Sequence, residues 1–368
     1  MRVAFLTPAM EPGYGWARYA LELARALAEQ GVDMIALTQP DVPTPEGVSL
    51  ADVRPVLPQL VPPERGFFVR SLLAARHVRR AVSDCDVLHV IAEPYTLLGA
   101  WSAGPRPLIV TAHGTYVPRT VRRRGVGGLY RRAYRRAHLI AVSEYTAAQV
   151  RAALPDAALA VIRNGVHVDR FQVAAPAPAK RGPTVLATGG VKARKGTHVL
   201  IAAAARVREQ VPDLQVIITG RQDDPAYLAR VQQRIADSGL SDCAHLPGMI
   251  PEDELIGWYQ HADVFALPSL NVGDKFEGFG LVFLEASASG LPVIGTTGSG
   301  VEEAIIEGET GLLVPQDDVP ALATAILRLL TDDALHARMS AAGPVYARTQ
   351  DWAAVASRVI TFYEGVLA

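Results

Sequence analysis

The sequence has little cysteine, no long apolar run and no excess of either charge. Its only cysteines, Cys85 and Cys243, exclude a disulfide framework, and no cluster of further ligands would complete a zinc site. No stretch approaches the roughly 18 uninterrupted apolar residues of a membrane-spanning helix. The 36 basic and 37 acidic residues leave a net charge of −1, so the chain lacks the global positive charge typical of nucleic-acid-binding proteins.

The composition is that of a globular protein with two domains. The chain has 368 residues, of which 49% are hydrophobic and 20% are charged, and a typical domain has roughly 150 residues. The apolar run at 3–6 is too short for a signal peptide and is typical of a first strand. Together with the low cysteine content, these features predict a cytoplasmic protein.

Short apolar runs alternate with helical patterns almost throughout the chain. The runs predict strands at 3–6, 32–38, 87–92, 108–112, 139–142, 184–188, 215–219, 263–267 and 291–295. Helical spacing predicts helices over 16–30, 197–210, 226–238 and 352–367. The seven prolines at 40–63 predict a long loop. Such alternation is typical of βαβ units and of a parallel sheet covered on both faces.

A proline- and alanine-rich segment at 174–183 divides the chain into two similar halves. It has no periodicity and is typical of an exposed linker. We therefore expect one doubly wound domain over 1–173 and a second over 184–350, with a cleft between them. A final helical segment is expected over 351–368.

The first strand is followed by a loop that contains Gly13 and Gly15. Glycines before a helix allow backbone amides to approach an anion, although a plain turn is an equal alternative. A dinucleotide-binding fingerprint would need a third glycine where Arg18 stands and an acidic residue at the end of the second strand, which ends with Thr38 and Gln39. Dinucleotide binding is therefore disfavoured.

A glycine-rich helix start with two glutamates lies in the second half. The segment reads Glu277, Gly278, Phe279, Gly280 and Leu281, and Glu285 follows inside the helical run. Backbone amides at such a start can bind a phosphate, and two carboxylates can accept hydrogen bonds from sugar hydroxyls. The alternative is an ordinary helix terminus at which Glu285 is exposed to solvent.

Three cations lie together in the loop at 188–197, which joins a predicted strand to a helix. They are Lys192, Arg194 and Lys195. Cations beside a helix N-terminus suit a diphosphate, because they stabilise the charge that develops on a leaving group. The glycine spacing of a Walker loop is missing, and a solvated basic loop is the alternative.

The carboxylates Glu277 and Glu285, separated by seven residues, resemble the E-x7-E signature of retaining glycosyltransferases of family 4 (GT4, glycosyl transferase group 1). The resemblance covers nearly the whole chain. Further matching segments are Gly13/Gly15, Thr111-Ala112-His113-Gly114-Thr115, Arg163-Asn164-Gly165-Val166, Lys195-Gly196, Gly298-Ser299-Gly300-Val301-Glu302-Glu303 and Asp351-Trp352. The resemblance implies the α/β GT-B fold, with two Rossmann-like domains facing a cleft and a last helix that crosses back to the first domain.

The resemblance also implies the residue roles. Glu285 would bind the ribose, and Glu277 with the amides of residues 278–281 would hold the donor sugar and diphosphate. Lys195 would lie on the diphosphate, and the loop containing Met249 and Ile250 would read the base.

In the first domain, the resemblance implies that His113 touches the donor sugar and that Gly13 and Gly15 line the donor site. The resemblance then implies a catalytic set of His113, Glu277 and Lys195.

Two departures from the family pattern are visible. An arginine usually stands at the position of Gly190, and we expect Lys192 or Arg194 to supply the missing charge, with Arg18 a weaker candidate. The segment at 270–276 is longer than usual before the glutamate motif and is interpreted as a surface loop.

The expected reaction is the transfer of a sugar, without a metal or other cofactor, from a nucleotide-sugar to a hydroxyl of a glycan, glycolipid or small molecule. A UDP-sugar is the first expectation for the donor and a GDP-sugar the second. A sugar-nucleotide epimerase and a non-catalytic sugar-nucleotide-binding protein remain as alternatives.

Residues 119–136 contain eight arginines and no acidic residue. Four of them form pairs spaced by four on a predicted helix, and we call this set the arginine stripe: Arg131, Arg132, Arg135 and Arg136. A solvated helix and an anionic membrane surface are alternative interpretations, and nucleic acid is disfavoured because no recognition motif is present. The membrane interpretation would place the protein peripherally at the inner membrane face, beside a lipid-linked acceptor.

Overall fold

The computed structural model describes residues 1–11, 15–43, 48–60 and 66–368, which form two compact units. The first unit comprises Met1–Asn164 and Trp352–Ala368, and the second comprises Gly165–Asp351. Both are α/β units built on a parallel sheet, as the alternation of strands and helices predicts.

In the described part of the first unit, seven parallel strands follow the order β3-β2-β1-β4-β5-β6-β7. The strands are β1 (Arg2–Leu6), β2 (Asp33–Leu37), β3 (Asp52–Arg54), β4 (Val87–Val90), β5 (Leu108–Ala112), β6 (His138–Ala141) and β7 (Leu159–Val161). The helices are α1 (Gly15–Glu29), α2 (Phe67–Ala81), α3 (Thr96–Ser102), α4 (Tyr116–Val121), α5 (Gly127–Arg136) and α6 (Glu144–Ala153), together with the C-terminal α14 (Trp352–Leu367).

Helices cover both faces of this sheet. Because successive strand residues point to opposite faces, Ala4 and Leu6 belong to a core shared with α2, α3 and α5. Val3 and Phe5 belong to the opposite core, which α1 and α14 complete. Tyr363 of α14 is fully buried there. The last helix therefore returns to the first unit, which confirms the expected crossover.

The second unit, all of whose residues are described, has six parallel strands in the order β10-β9-β8-β11-β12-β13. They are β8 (Thr184–Ala187), β9 (Gln215–Thr219), β10 (Ala244–Gly248), β11 (Val264–Ala266), β12 (Val293–Thr296) and β13 (Gly311–Val314). The helices are α7 (Val168–Gln172), α8 (Thr197–Arg208), α9 (Pro225–Asp237), α10 (Glu252–His261), α11 (Leu281–Ala288), α12 (Val319–Thr331) and α13 (Asp333–Thr349).

The observed division differs from the expected domain boundaries, because it falls between Asn164 and Gly165 rather than at 174–183. The proline-rich segment is attached to the second unit: the Ala175 amide donates to Gln260 Oε1 (3.0 Å). The Lys180 ammonium pairs with Asp263 at 2.7 Å. These contacts attach the segment to the second unit, although most of its residues are exposed, as expected.

Four strands have no counterpart in the sequence prediction, and they are β3, β7, β10 and β13. These are the edge strands of the two sheets. The strand β3 lies within the stretch at 40–63 that the prolines predict to be a loop, and it pairs with β2.

Candidate active site

The topology of the second sheet brings two loops together at the carboxyl ends of its strands. The neighbouring strands β8 and β11 connect in opposite directions, β8 through α8 to β9 and β11 through α11 to β12. Ligands of doubly wound proteins bind at such a switch point, in the crevice that the diverging loops leave. The loop after β8 carries the predicted basic cluster, and the loop after β11 carries Glu277.

Two cations of the basic cluster converge on Glu277. Lys195 Nζ lies 2.7 Å from Glu277 Oε2, and Arg194 donates to the same oxygen at 2.6 Å. A Cβ at Gly196 would collide with the carbonyl of Pro268, so the two loops pack without an intervening side chain. The structure thus brings together three of the residues predicted to bind the donor.

The charges in this cluster are strongly coupled. Burial by itself would raise the pKa of Glu277, but the positive charges of Lys195 and Arg194 outweigh it and lower this pKa to about 2. Burial also lowers the pKa of the Lys195 ammonium, and the attraction of Glu277 opposes this effect. Glu277 is therefore a carboxylate at neutral pH and holds both cations in place.

The start of α11 has the glycine geometry that the sequence predicts. Gly280 caps the helix at φ 91°, a left-handed conformation that glycine adopts without strain. The Gly300 amide donates to the Glu277 carbonyl (3.0 Å), and a Cβ at Gly300 would collide with the Gly278 carbonyl. Phe279 is only 2% exposed, so it has only backbone groups to offer a ligand. Donor contacts by residues 278–281 stay a prediction.

Glu285 is buried and held by a hydroxyl chain, so the alternative of a solvent-exposed glutamate is wrong. Its side chain is 3% exposed, and its Oε2 accepts from the Tyr259 hydroxyl at 2.9 Å. Thr188 Oγ1 lies 3.1 Å from the same hydroxyl. Sequence reasoning missed Tyr259, because it lies inside α10, where an aromatic residue is typical of core packing.

The backbone at Gly190 explains why no arginine stands there. Gly190 has φ 94°, and a Cβ would lie 2.9 Å from the Arg221 carbonyl, so any side chain would be strained. Lys192 lies 3.5 Å from Asp223, whereas Arg194 contacts Glu277 beside Lys195. Of Lys192 and Arg194, the two stronger candidates for the missing charge, Arg194 is the one that the structure places in the cluster.

The remaining predicted donor residues of the second unit follow β10. Met249 is 61% exposed, and Ile250 is half-buried. The Gly220 amide donates to the Gly248 carbonyl (2.8 Å), which joins the loops after β9 and β10. Of the segment at 270–276, residues 271–275 are exposed and turn back between Val272 and Lys275, as expected of a surface loop, whereas Leu270 is buried in the core of the second unit.

In the first unit, His113 follows β5 and is held on several sides. Its Nε2 donates to the Ile91 carbonyl (3.1 Å), and its ring meets the Tyr19 ring edge-on at 4.6 Å. Burial lowers the pKa of His113 to about 4, so the ring is neutral at pH 7. Gly15 begins α1 at φ 58°, and Gly13 lies outside the described residues.

Sequence reasoning also missed Glu93, a fully buried glutamate beside His113. Its Oε1 accepts from the His113 amide at 2.8 Å. The sequence offered one signal for Glu93, which is its position just after the apolar strand β4. His113 lies just after β5 in the same way. Parallel neighbouring strands place such residues at one sheet edge.

The arginine stripe lies on the exposed face of α5, while Tyr130 and Tyr134 of the same helix are buried.

No helix in the described ranges combines the length and apolarity that crossing a bilayer requires. Within the same ranges, no group of three or more histidine, cysteine, aspartate or glutamate residues could hold a metal ion. Metal independence stays a prediction.

Two family profiles together span most of the chain. "Glycosyltransferase Family 4" matches residues 14–170, and "Glycosyl transferases group 1" matches residues 169–345. The phosphatidyl-myo-inositol mannosyltransferase of Mycobacterium leprae is 32% identical over 100% of this chain and 97% of its own. A GDP-mannose-dependent alpha-(1-6)-phosphatidylinositol monomannoside mannosyltransferase of Mycolicibacterium smegmatis is 33% identical over 74% and 75% of the two chains.

Solved structures share the fold over the full length. Sucrose-phosphate synthase from Thermosynechococcus elongatus has a TM-score of 0.80 at 25% identity and covers 99% of this chain and 98% of its own. Anabaena HepE, solved with UDP and glucose, has a TM-score of 0.79 at 18% identity and covers 99% of both chains.

The family profiles and the relatives show that the chain belongs to glycosyltransferase family 4, and the solved structures show that it has the GT-B fold. It is a glycosyltransferase, rather than an epimerase or a non-catalytic binding protein.

Proposed function

We propose that the protein transfers mannose from GDP-mannose to an inositol glycerophospholipid, with retention of configuration and without a metal ion. The observation that carries the proposal is the cluster of Lys195, Arg194 and Glu277 at the switch point of a chain that has a full-length relative named phosphatidyl-myo-inositol mannosyltransferase. The names of the mycobacterial relatives support GDP over UDP, which was the first expectation for the donor base.

The residues of the second unit would divide the work as follows. Lys195 and Arg194 bind the diphosphate and stabilise its charge as the bond between sugar C1 and the phosphate oxygen breaks. Glu285 accepts hydrogen bonds from the ribose, and Glu277 orients the two cations. The acceptor hydroxyl oxygen forms the new bond to C1, and its proton passes to the departing phosphate oxygen. His113 contacts the donor sugar as a neutral ring.

A basic and partly apolar surface of the first unit supports a lipid acceptor. On α2, Leu72 and Leu73 are 52% and 76% exposed, and the arginine stripe is exposed on α5. One arginine side chain from each helix reaches Gly104: the Arg136 guanidinium donates to its carbonyl, and the Arg79 guanidinium packs against it. Exposed leucines between arginines suit an anionic membrane, since each cation near such a surface contributes about 1 kcal/mol.

The test is a matrix of donors and acceptors, assayed with and without EDTA. GDP-mannose, UDP-glucose and GDP-glucose are each offered with phosphatidylinositol in mixed micelles or with soluble D-inositol 3-phosphate. We expect mannosylated phosphatidylinositol from GDP-mannose alone, unchanged by EDTA, with an α-linked product by NMR. The soluble acceptor is included because relatives named D-inositol 3-phosphate glycosyltransferases match about half of this chain.

Membrane binding is tested separately by vesicle sedimentation. We expect the parent protein to bind vesicles containing phosphatidylglycerol but not pure phosphatidylcholine vesicles. Replacing the arginine stripe with alanine should weaken binding, whereas Arg151→Ala, which removes an exposed arginine paired with Glu144 on α6, should not. Transfer to the soluble acceptor alone, or no vesicle binding by the parent protein, would contradict the lipid part of the proposal.

A further inference from the structure

Glu93 connects the loop that carries His113 to the start of α1. It is 0% exposed and lies in the short helical turn Glu93–Tyr95 after β4. Its Oε1 accepts from the His113 amide at 2.8 Å, and its Oε2 accepts from Trp16 Nε1 at 2.7 Å. One buried carboxyl group thus holds two segments that are distant in sequence.

The surroundings of Glu93 are apolar and aromatic. The Trp16 ring meets the Tyr116 ring edge-on at 5.1 Å, and Tyr134 of α5 interacts electrostatically with Glu93. Among the described residues, His113 and Tyr134 are the titratable residues that interact with the carboxyl group, and Tyr116 contacts the indole that donates to it. In the part of the chain that the structure describes, no Lys or Arg forms an ion pair with Glu93. Burial raises the pKa of Glu93 to about 7, although its hydrogen bonds oppose the shift.

We propose that Glu93 is a positioning residue whose ionised carboxylate fixes the His113 loop and the Trp16 indole in their active arrangement, and whose protonation loosens both. This proposal rests on the proposed function in one respect, because the proposed function places His113 at the donor sugar. Glu93 is buried, so it acts through its two neighbours rather than on the substrates.

The hydrogen-bond chemistry selects the ionised form. Two N–H donors face the two oxygens, and a carboxylate accepts from both. A protonated carboxyl group must place its own O–H near one of these donors. A glutamine must likewise place its NH2 near one of them. Glu93→Gln therefore conflicts with Trp16 or with His113, and removal of the indole N–H by Trp16→Phe should relieve the conflict.

The kinetic test compares mannosyl transfer by the parent protein, Glu93→Gln, Trp16→Phe and the double variant between pH 5.5 and 9. In the parent we expect kcat to rise with pH through a midpoint near 7. In Glu93→Gln this rise should disappear, and kcat at pH 8 should fall roughly 10-fold with little change in the KM for GDP-mannose. The double variant should recover to within about threefold of Trp16→Phe. Glu22→Gln, at another buried glutamate of the first unit, serves as the control and should retain the parent profile.

A spectroscopic readout separates this proposal from the proposed function. The indole N–H signal of Trp16, assigned by its loss in Trp16→Phe, should shift with pH around 7 in the parent but not in Glu93→Gln. Titration of that signal without any mannosyl transfer would leave the Glu93 inference intact and overturn the proposed function. Transfer with a parental pH profile in Glu93→Gln, or an indole signal that still titrates in this variant, would overturn the inference.

Discussion

Lys195 Nζ lies 2.7 Å from Glu277 Oε2, although the two residues are 82 positions apart along the chain. The contact forms because β8 and β11 are neighbouring parallel strands. The loops that carry the two residues therefore begin side by side at the carboxyl edge of the sheet. A cation held this way is preorganised, so in the proposed reaction it would stabilise the charge developing on the phosphate without first having to reorient.

Replacing the lysine tests this role directly. Lys195→Met should lower kcat roughly 10²- to 10³-fold, because one preorganised charge on the leaving group is lost. Turnover with GDP-mannose measures the effect, and circular dichroism checks folding, since Glu277 keeps Arg194 as a partner. Lys180→Met, which removes a partly exposed pair with Asp263, is the matched control. Equal turnover in both variants would contradict the role.

The two remaining cations of the loop should differ in their effects. Arg194→Ala should reduce donor affinity and turnover about tenfold or more, because Arg194 lies beside Lys195 and Glu277. Lys192→Ala should change either by less than about twofold, since this half-exposed side chain faces Asp223. Steady-state kinetics with varied GDP-mannose measures both. A larger loss for Lys192 would show that the compensating charge is assigned to the wrong residue.

The hydroxyl that holds Glu285 should affect donor binding alone. Tyr259→Phe removes one buried hydrogen bond to the carboxylate, worth about 1.5–3 kcal/mol for a charged acceptor. We expect a Kd for GDP that rises roughly tenfold and a kcat that changes little, measured by calorimetry and by kinetics. Tyr227→Phe, at a partner of His198 in the same unit, should leave the Kd unchanged. A large fall in kcat with unchanged Kd would contradict the ribose-binding role.

The buried glutamate of the first unit should make stability depend on pH. Because the pKa of Glu93 rises from 4.5 to about 7 on folding, the folded chain binds more protons in between. The free energy of unfolding should therefore fall by about 3 kcal/mol as pH rises from about 4.5 to above 7. Glu93→Gln should lack this part of the dependence, as urea denaturation at pH 5 and pH 8 would show. The low pKa of Glu277 affects the free energy of unfolding only below about pH 4.5, outside this pH range. An identical pH dependence in both proteins would contradict the assignment.

The strands that sequence reasoning found are the interior strands of the two sheets, and the four it missed are the edges. The interior strand β4 is buried at every position, whereas every residue of the edge strand β7 is only half-buried. A continuous apolar run indicates a strand that is buried on both faces of the sheet. An edge strand is partly solvated and leaves a weaker pattern, so the contact with its neighbour decides that it is a strand.

The sequence by itself determined the fold class, the family and the segments that carry the site, because these depend on local pattern and on motifs. Glu277 and the cations of the basic loop could be named from it. Tertiary structure alone decided which cation joins Lys195, that Tyr259 holds Glu285, and that Glu93 reaches both His113 and Trp16. These facts depend on which strand ends are neighbours and on which polar groups burial forces to pair, and neither is written in the spacing of residues along the chain.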